Sequence, residues 1–252
     1  MRADQILVER GIAASRSQAQ RLIAAGLRWR LGAGPWKAVA KNGDEIAEGA
    51  ELELADAAEA RYVSRGGLKL EAALRDAAVS AEGLVCLDVG QSTGGFTDCL
   101  LRHGAARVVG VDVGHGQLNA ALAADSRVRA FEGLNARALQ AADLGDAVPD
   151  GGFGLMVGDL SFISLTLVLP ALVPLLAEGG WLLMLVKPQF ELQPGQIGKG
   201  GIVRDASLYT LVEQRIRVAC AAAGLRVRQW LPSAIEGGDG NREFFVFAER
   251  SP

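Results

Sequence analysis

The architecture of this chain turns on Asp88-Val-Gly-Gln-Ser-Thr-Gly-Gly-Phe-Thr-Asp98. The apolar run 84–89 reads as a strand, and the glycine-rich stretch after it reads as the turn into a helix. Glycines at such a turn let a ligand approach the backbone closely. The dinucleotide fingerprint requires G-x-G-x-x-G, whereas here Gly90 is followed only by Gly94 and Gly95, so a nicotinamide dinucleotide fits poorly. On either side the pattern alternates. Further strands are expected at 107–113, 128–131, 153–159, 181–187, 226–231 and 243–249, with helices between them, the clearest at 206–223. Seven strands with intervening helices predict an α/β fold, an open and doubly wound sheet.

The second expected strand ends in Gly110-Val-Asp-Val-Gly114, which puts Asp112 22 residues beyond Gly90. An acid at that distance meets ribose hydroxyls. A glycine turn with this acid suits an adenosine ligand that lacks a pyrophosphate, which is S-adenosylmethionine. The expected cofactor residues are Asp88, Gly90, Ser92, Thr93, Gly94, Gly95, Phe96 and Asp112. Asn135, after the third strand, could reach an adenine edge or be an ordinary loop asparagine. A tight turn of purely structural purpose is the competing reading of the glycines.

Two ionisable residues close apolar strands. Asp159 ends Phe-Gly-Leu-Met-Val-Gly-Asp, and Lys187 ends Trp-Leu-Leu-Met-Leu-Val-Lys. Ligands of open α/β sheets bind beyond the carboxyl ends of the strands, so both belong in the cleft. Glu243 begins the last strand, and an antiparallel last strand would bring it to the same edge. A strand-end salt bridge is the alternative for any one of them. Lys69, in Ser64-Arg-Gly-Gly-Leu-Lys-Leu70, cannot be placed by pattern, and alone it reads as solvated helix surface.

The first sixty residues differ in character. Residues 2–11 and 15–26 read as two short helices, each stopped by glycine, with Ser15 a suitable N-cap. Short strands are expected at 27–31, 36–39 and 51–54. The whole chain of 252 residues carries a net charge of −3, which argues against coating nucleic acid by bulk charge. Residues 10–41, however, hold seven basic residues and no acid, and the other 220 residues carry −10. A one-signed run of this length favours an RNA-binding face over a merely solvated one. Its candidates are Arg10, Arg16, Arg21, Arg28, Arg30, Lys37 and Lys41, with Arg2 and Arg65 beside the run.

Three dispersed cysteines and two histidines make a zinc site or disulfide framework improbable, so no metal is expected and a reducing cytoplasm is the easier reading. No apolar leader is visible at the N-terminus. Residues 160–177 lack any charge but contain Pro170 and Pro174, so a buried helix followed by a strand is expected there rather than a membrane span.

Several stretches together resemble the TlyA family, historically labelled haemolysins. They are residues 64–69, Asp88–Thr97, Asp159-Leu-Ser-Phe-Ile-Ser164, Val186-Lys-Pro-Gln-Phe-Glu191 and Gly237-Gly-Asp-Gly-Asn241. The N-terminal part resembles the alpha-L RNA-binding motif of small-subunit ribosomal protein four, through Arg2, Asp4, Leu7, Gly11, Ser15, Arg16, Ala19 and Gly26. The resemblance implies an RNA-binding domain over 1–60, a linker over 61–67 and an FtsJ-like Rossmann-type methyltransferase domain over 68–252. It further implies S-adenosylmethionine-dependent 2′-O-methylation of ribosomal RNA, at cytidines and on ribosomal subunits, with no stable membrane association. Its Lys-Asp-Lys-Glu tetrad maps onto Lys69, Asp159, Lys187 and Glu243, which lifts Lys69 out of the solvated surface. Gln91 departs from the small residue expected after Gly90, and Ala234 from a proline, which bears on the details of the pocket. The competing functions are a non-catalytic ribosome-assembly factor and a membrane-lytic protein.

Overall fold

A computed structural model describes residues 1–13, 15–54 and 61–251. The chain divides into two compact units, Met1–Leu68 and Lys69–Pro252.

In the first unit, α1 (Ala3–Glu9) and α2 (Arg16–Ala24) bury Ala3, Ile6, Leu7, Ala19, Leu22 and Ile23 in one cluster. The three- and four-residue spacing of these apolar side chains makes each helix one-sided. Ser15 caps α2 by accepting from the Gln18 backbone N–H at 3.2 Å. Strands β1 (Leu27–Arg30), β2 (Lys37–Ala38) and β3 (Glu51–Leu54) form an antiparallel sheet in the order β2-β1-β3. Residues 55–60, read from sequence as the end of the RNA-binding part, lie outside the described residues. Residues 65–67 of the expected linker form the first turn of α3 (Arg65–Ala77).

The second unit is built on β4 (Val85–Val89), α4 (Gly95–Arg102), β5 (Arg107–Asp112), α5 (Ala120–Ala123), β6 (Val128–Glu132), α6 (Ala141–Leu144), β7 (Phe153–Gly158), α7 (Leu169–Leu172), β8 (Leu176–Val186), α8 (Pro188–Glu191), α9 (Ser207–Ala222), β9 (Leu225–Pro232) and β10 (Phe244–Arg250). Its seven-stranded sheet runs β6-β5-β4-β7-β8-β10-β9, and β10 alone runs against its neighbours. The central strands are covered on both faces, and that is why β4, β7 and β8 are nearly continuous apolar runs. The expected strands are present with ends shifted by a residue or so, except that β8 starts five residues early, at Leu176, which pairs with Phe153. Three expected helices shrink to single turns, α5, α6 and α7, and none separates β9 from β10. The uncharged stretch 160–177 forms a 3-10 turn at Leu165–Leu167, then α7, then a 3-10 turn at Val173–Leu175, with Pro170 and Pro174 each the second residue of a piece. Among the described residues no helix is long and apolar enough to cross a membrane.

Candidate functional site

Strand direction assembles the site. Asp159 and Lys187 follow the ends of the parallel neighbours β7 and β8. The antiparallel β10 pairs Phe244 with Val186, so Glu243 arrives at the same edge beside Lys187. The Lys187 ammonium lies 2.6 Å from Asp159 Oδ1 and donates to Ser161 Oγ at 2.9 Å. Lys69, which only the family resemblance assigned to this group, projects from α3 and donates to Glu243 Oε2 at 2.5 Å. Lys69 and Glu243 are both buried, so each requires the other's charge. Burial pushes the Glu243 carboxyl up, Lys69 and then Lys187 pull it down, and the Asp159 charge raises it again. Glu243 therefore senses the other three charged groups at this edge.

Beside them lies a cleft of about 450 Å³, within the range of small-molecule sites. Gly90, Ser92, Asp112, Asn135 and Asp159 border it, with Leu134, Leu160 and Ile163 as apolar walls. Gly90 has φ +82°, and a Cβ there would stand 2.7 Å from the Asp159 carbonyl oxygen, so only glycine lets the β4 turn touch the Asp159 segment. Asp112 accepts from the Ser92 and Gly114 backbone N–H groups, both at 2.7 Å, and so ties two loops together at the cleft wall. Asn135 accepts from the Arg137 N–H at 3.0 Å.

Five of the expected cofactor residues stand back from this cleft. Thr93, Gly94 and Gly95 lead into α4, and Phe96 stacks on Phe245 with ring centroids 6.2 Å apart. Asp88 is fully buried; Thr97 Oγ1 donates to its Oδ2 at 2.7 Å, and Oδ1 has no hydrogen-bond partner among the described residues. Burial pushes its carboxyl up to about 7, against the Thr97 hydrogen bond and with help from the Asp159 charge. Gln91, the residue that departs from the family pattern, donates to Thr97 Oγ1 at 2.9 Å and packs where Gly110 has no side chain. Its size serves the support under the turn.

Sequence reasoning missed Ser161 and Phe162. Phe162 borders the cleft, is 90% exposed, holds φ +63° and tilts against Phe190 at 5.1 Å. Its signal was an aromatic three residues after Asp159, in a short loop between a strand and the uncharged stretch.

The basic run is not a face of one sign. Glu53 and Glu51 of β3 pair with Arg28 at 2.7 Å and Arg30 at 2.6 Å. The same two guanidiniums lie over Trp36, and Lys37 lies over Trp29. Arg2 pairs with Asp4, and Arg10 donates to the Ala50 and Glu48 carbonyls. Arg16 and Arg21 lie on α2, Lys41 follows β2, and Arg65 begins α3. Cross-strand partners far along the chain are invisible to a local count of charge. Among the described residues no cluster could hold a metal ion. Cys86 and Cys220 are buried, which pushes both thiols up to about 12.

The FtsJ-like methyltransferase family model matches residues 62–250. The chain is 41% identical to the 16S/23S rRNA (cytidine-2′-O)-methyltransferase TlyA of Mycobacterium tuberculosis, over 98% of this chain and 88% of that one. A solved structure described as a hemolysin from Streptococcus thermophilus superposes with a TM-score of 0.76 at 41% identity, covering 100% of this chain and 88% of that one. An S-adenosylmethionine-dependent methyltransferase from Mesorhizobium loti shares the fold alone, with a TM-score of 0.51 at 17% identity over 71% of this chain and 96% of its own.

Proposed function

The chain belongs to the TlyA family of FtsJ-like methyltransferases, and from that membership we propose that it is an S-adenosylmethionine-dependent rRNA (cytidine-2′-O)-methyltransferase acting on ribosomal subunits in the cytoplasm. The observation that carries the reading is the pairing of Lys187 with Asp159 and of Lys69 with Glu243 at one sheet edge, beside a cleft of cofactor size.

The cleft suits S-adenosylmethionine. The Asp112 carboxylate is already held by two backbone donors and has lone pairs left for ribose hydroxyls, and Leu134, Leu160 and Ile163 supply walls for a purine. When bound, this cofactor supplies an electrophilic methyl group on a cationic sulfur. The chain's own task is then orientation and charge stabilisation, which lower the barrier of an in-line displacement without covalent catalysis. Lys187 is ion-paired with Asp159 and donates one hydrogen bond, to Ser161. A remaining position faces the attacking ribose oxygen, as a further N–H that stabilises developing negative charge or as the lone pair of a neutral amine acting as base. Lys69 and Glu243 orient the ribose. The exposed Phe162 ring offers a stacking surface for the base of the target nucleotide.

Tritiated methyl donor incubated with the protein and whole ribosomal subunits, followed by mapping of the modified nucleotide, tests the proposal. Label at a cytidine ribose is expected. Cofactor binding by calorimetry without any label in RNA would defeat it, and absence of cofactor binding would point to a non-catalytic assembly factor.

A further inference from the structure

The stretches 159–164 and 186–191 leave the ends of neighbouring strands and meet at three places. Lys187 contacts Asp159 and Ser161, and Phe162 tilts against Phe190. At the far end of both stretches, Glu191 accepts from Ser164 Oγ at 2.5 Å and from the Leu165 backbone N–H at 2.7 Å. Arg215 of α9 donates at 2.7 Å to the Glu191 backbone carbonyl. Glu191 is 3% exposed, and none of the chemistry above uses it. Burial raises its carboxyl, while the two hydrogen bonds and the Arg215 charge pull it down.

A buried carboxylate is an unfavourable way to fill space, since an apolar side chain of the same volume carries no desolvation penalty. What the carboxylate alone provides is a pair of directed acceptors, and both face the neighbouring segment. Between that contact and Asp159 stands Phe162, in a left-handed conformation that an aromatic residue adopts only when its surroundings over-determine it. The segment is thus held at both ends: by Lys187 at Asp159 and Ser161, and by Glu191 at Ser164 and Leu165.

We infer that Glu191 is a positioning residue for methyl transfer: its carboxylate clasps the Asp159–Ser164 segment to α8 and so sets Lys187 between Asp159 and Ser161. The inference rests on the methyltransferase reading, and one of its tests does not. Glu191→Leu keeps the packing and removes both acceptors, whereas Glu191→Gln keeps an acceptor for the Leu165 N–H. Glu191→Leu should lower kcat at least about ten-fold, because small displacements of reacting groups cost this much or more. Its KM for ribosomal subunits should stay within about two-fold, its affinity for S-adenosylmethionine, whose cleft the same segment borders, should fall less than kcat, and Glu191→Gln should recover most of kcat. Combined with Ser161→Ala, its effect should be less than multiplicative, since both act through Lys187. Hydrogen exchange should quicken over residues 159–168 in Glu191→Leu and remain unchanged in α9 and β10. Wild-type kcat in Glu191→Leu, unchanged exchange over 159–168, or an equal loss of cofactor affinity, melting temperature and kcat would each overturn the inference. If the wild-type protein methylates no RNA, the functional reading fails, and the exchange measurement still decides whether the clasp exists.

Discussion

At the scale of single residues, Lys187 and Asp88 make the sharpest contrast. In the proposed reaction Lys187 meets the oxygen that loses its proton, and replacement separates its two proposed roles. Arginine keeps positive charge and N–H donors but cannot serve as a base. Lys187→Ala should therefore abolish most turnover, and Lys187→Arg should retain a measurable part only if the side chain stabilises the oxyanion; equal loss in single-turnover assays assigns it the base role. Phe162 predicts a different signature. Losing one stacked base removes about 1–3 kcal/mol, so Phe162→Ala should reduce kcat/KM for RNA by roughly ten- to hundred-fold, with a clearly smaller change in cofactor Kd in calorimetry. Asp88 concerns stability. Its carboxyl is raised to about 7 in the fold, against about 3.9 when unfolded. Between these values the unfolded state binds fewer protons than the folded one, so this group's contribution to stability is present at low pH and is lost as pH rises towards 7. Melting of Asp88→Asn relative to wild type should accordingly shift in the variant's favour from pH 5 to pH 8. A pH-independent difference would contradict the burial of this charge.

At the scale of elements, the β4–α4 turn and the segment after β7 are one construction. A Cβ at Gly90 would stand 2.7 Å from the Asp159 carbonyl oxygen, so the two segments share a contact that no side chain can enter. Gly90→Ala forces an alanine to φ +82°, at about 1–2 kcal/mol for the left-handed conformation alone, and drives its Cβ into backbone. Thermal scans should show a fall of several degrees with weakened cofactor binding, and an unchanged profile would mean that the turn can move away. The order of the sheet has a similar consequence. Because β10 inserts antiparallel between β8 and β9, a residue at the start of a strand joins residues at the ends of two others.

At the scale of the whole molecule, charge is unevenly divided: residues 10–41 carry +7 and the remainder −10. Pairing of Arg28 and Arg30 with Glu53 and Glu51 reduces the surplus available to phosphates, which leaves more of it with residues such as Arg16 and Lys41. Arg16→Glu and Lys41→Glu should each weaken RNA binding in filter assays and flatten its dependence on salt by about one unit of slope per lost phosphate contact. Cofactor affinity should not respond to either change. The sequence by itself determined the α/β sheet, because apolar runs and the turns between them are local signals. It also determined that Asp159 and Lys187 stand at strand ends, and that Glu243 would join them if the last strand ran backwards. Only the tertiary structure decided that Lys69 pairs with a glutamate 174 positions away, that Asp88 lies buried beneath the turn, that Arg28 and Arg30 are answered by β3, and that Glu191 grips Ser164. These contacts join residues far apart along the chain, and they depend on how strands and helices pack. Periodicity, composition and spacing record the neighbourhood along the chain and carry no information about the neighbourhood across it.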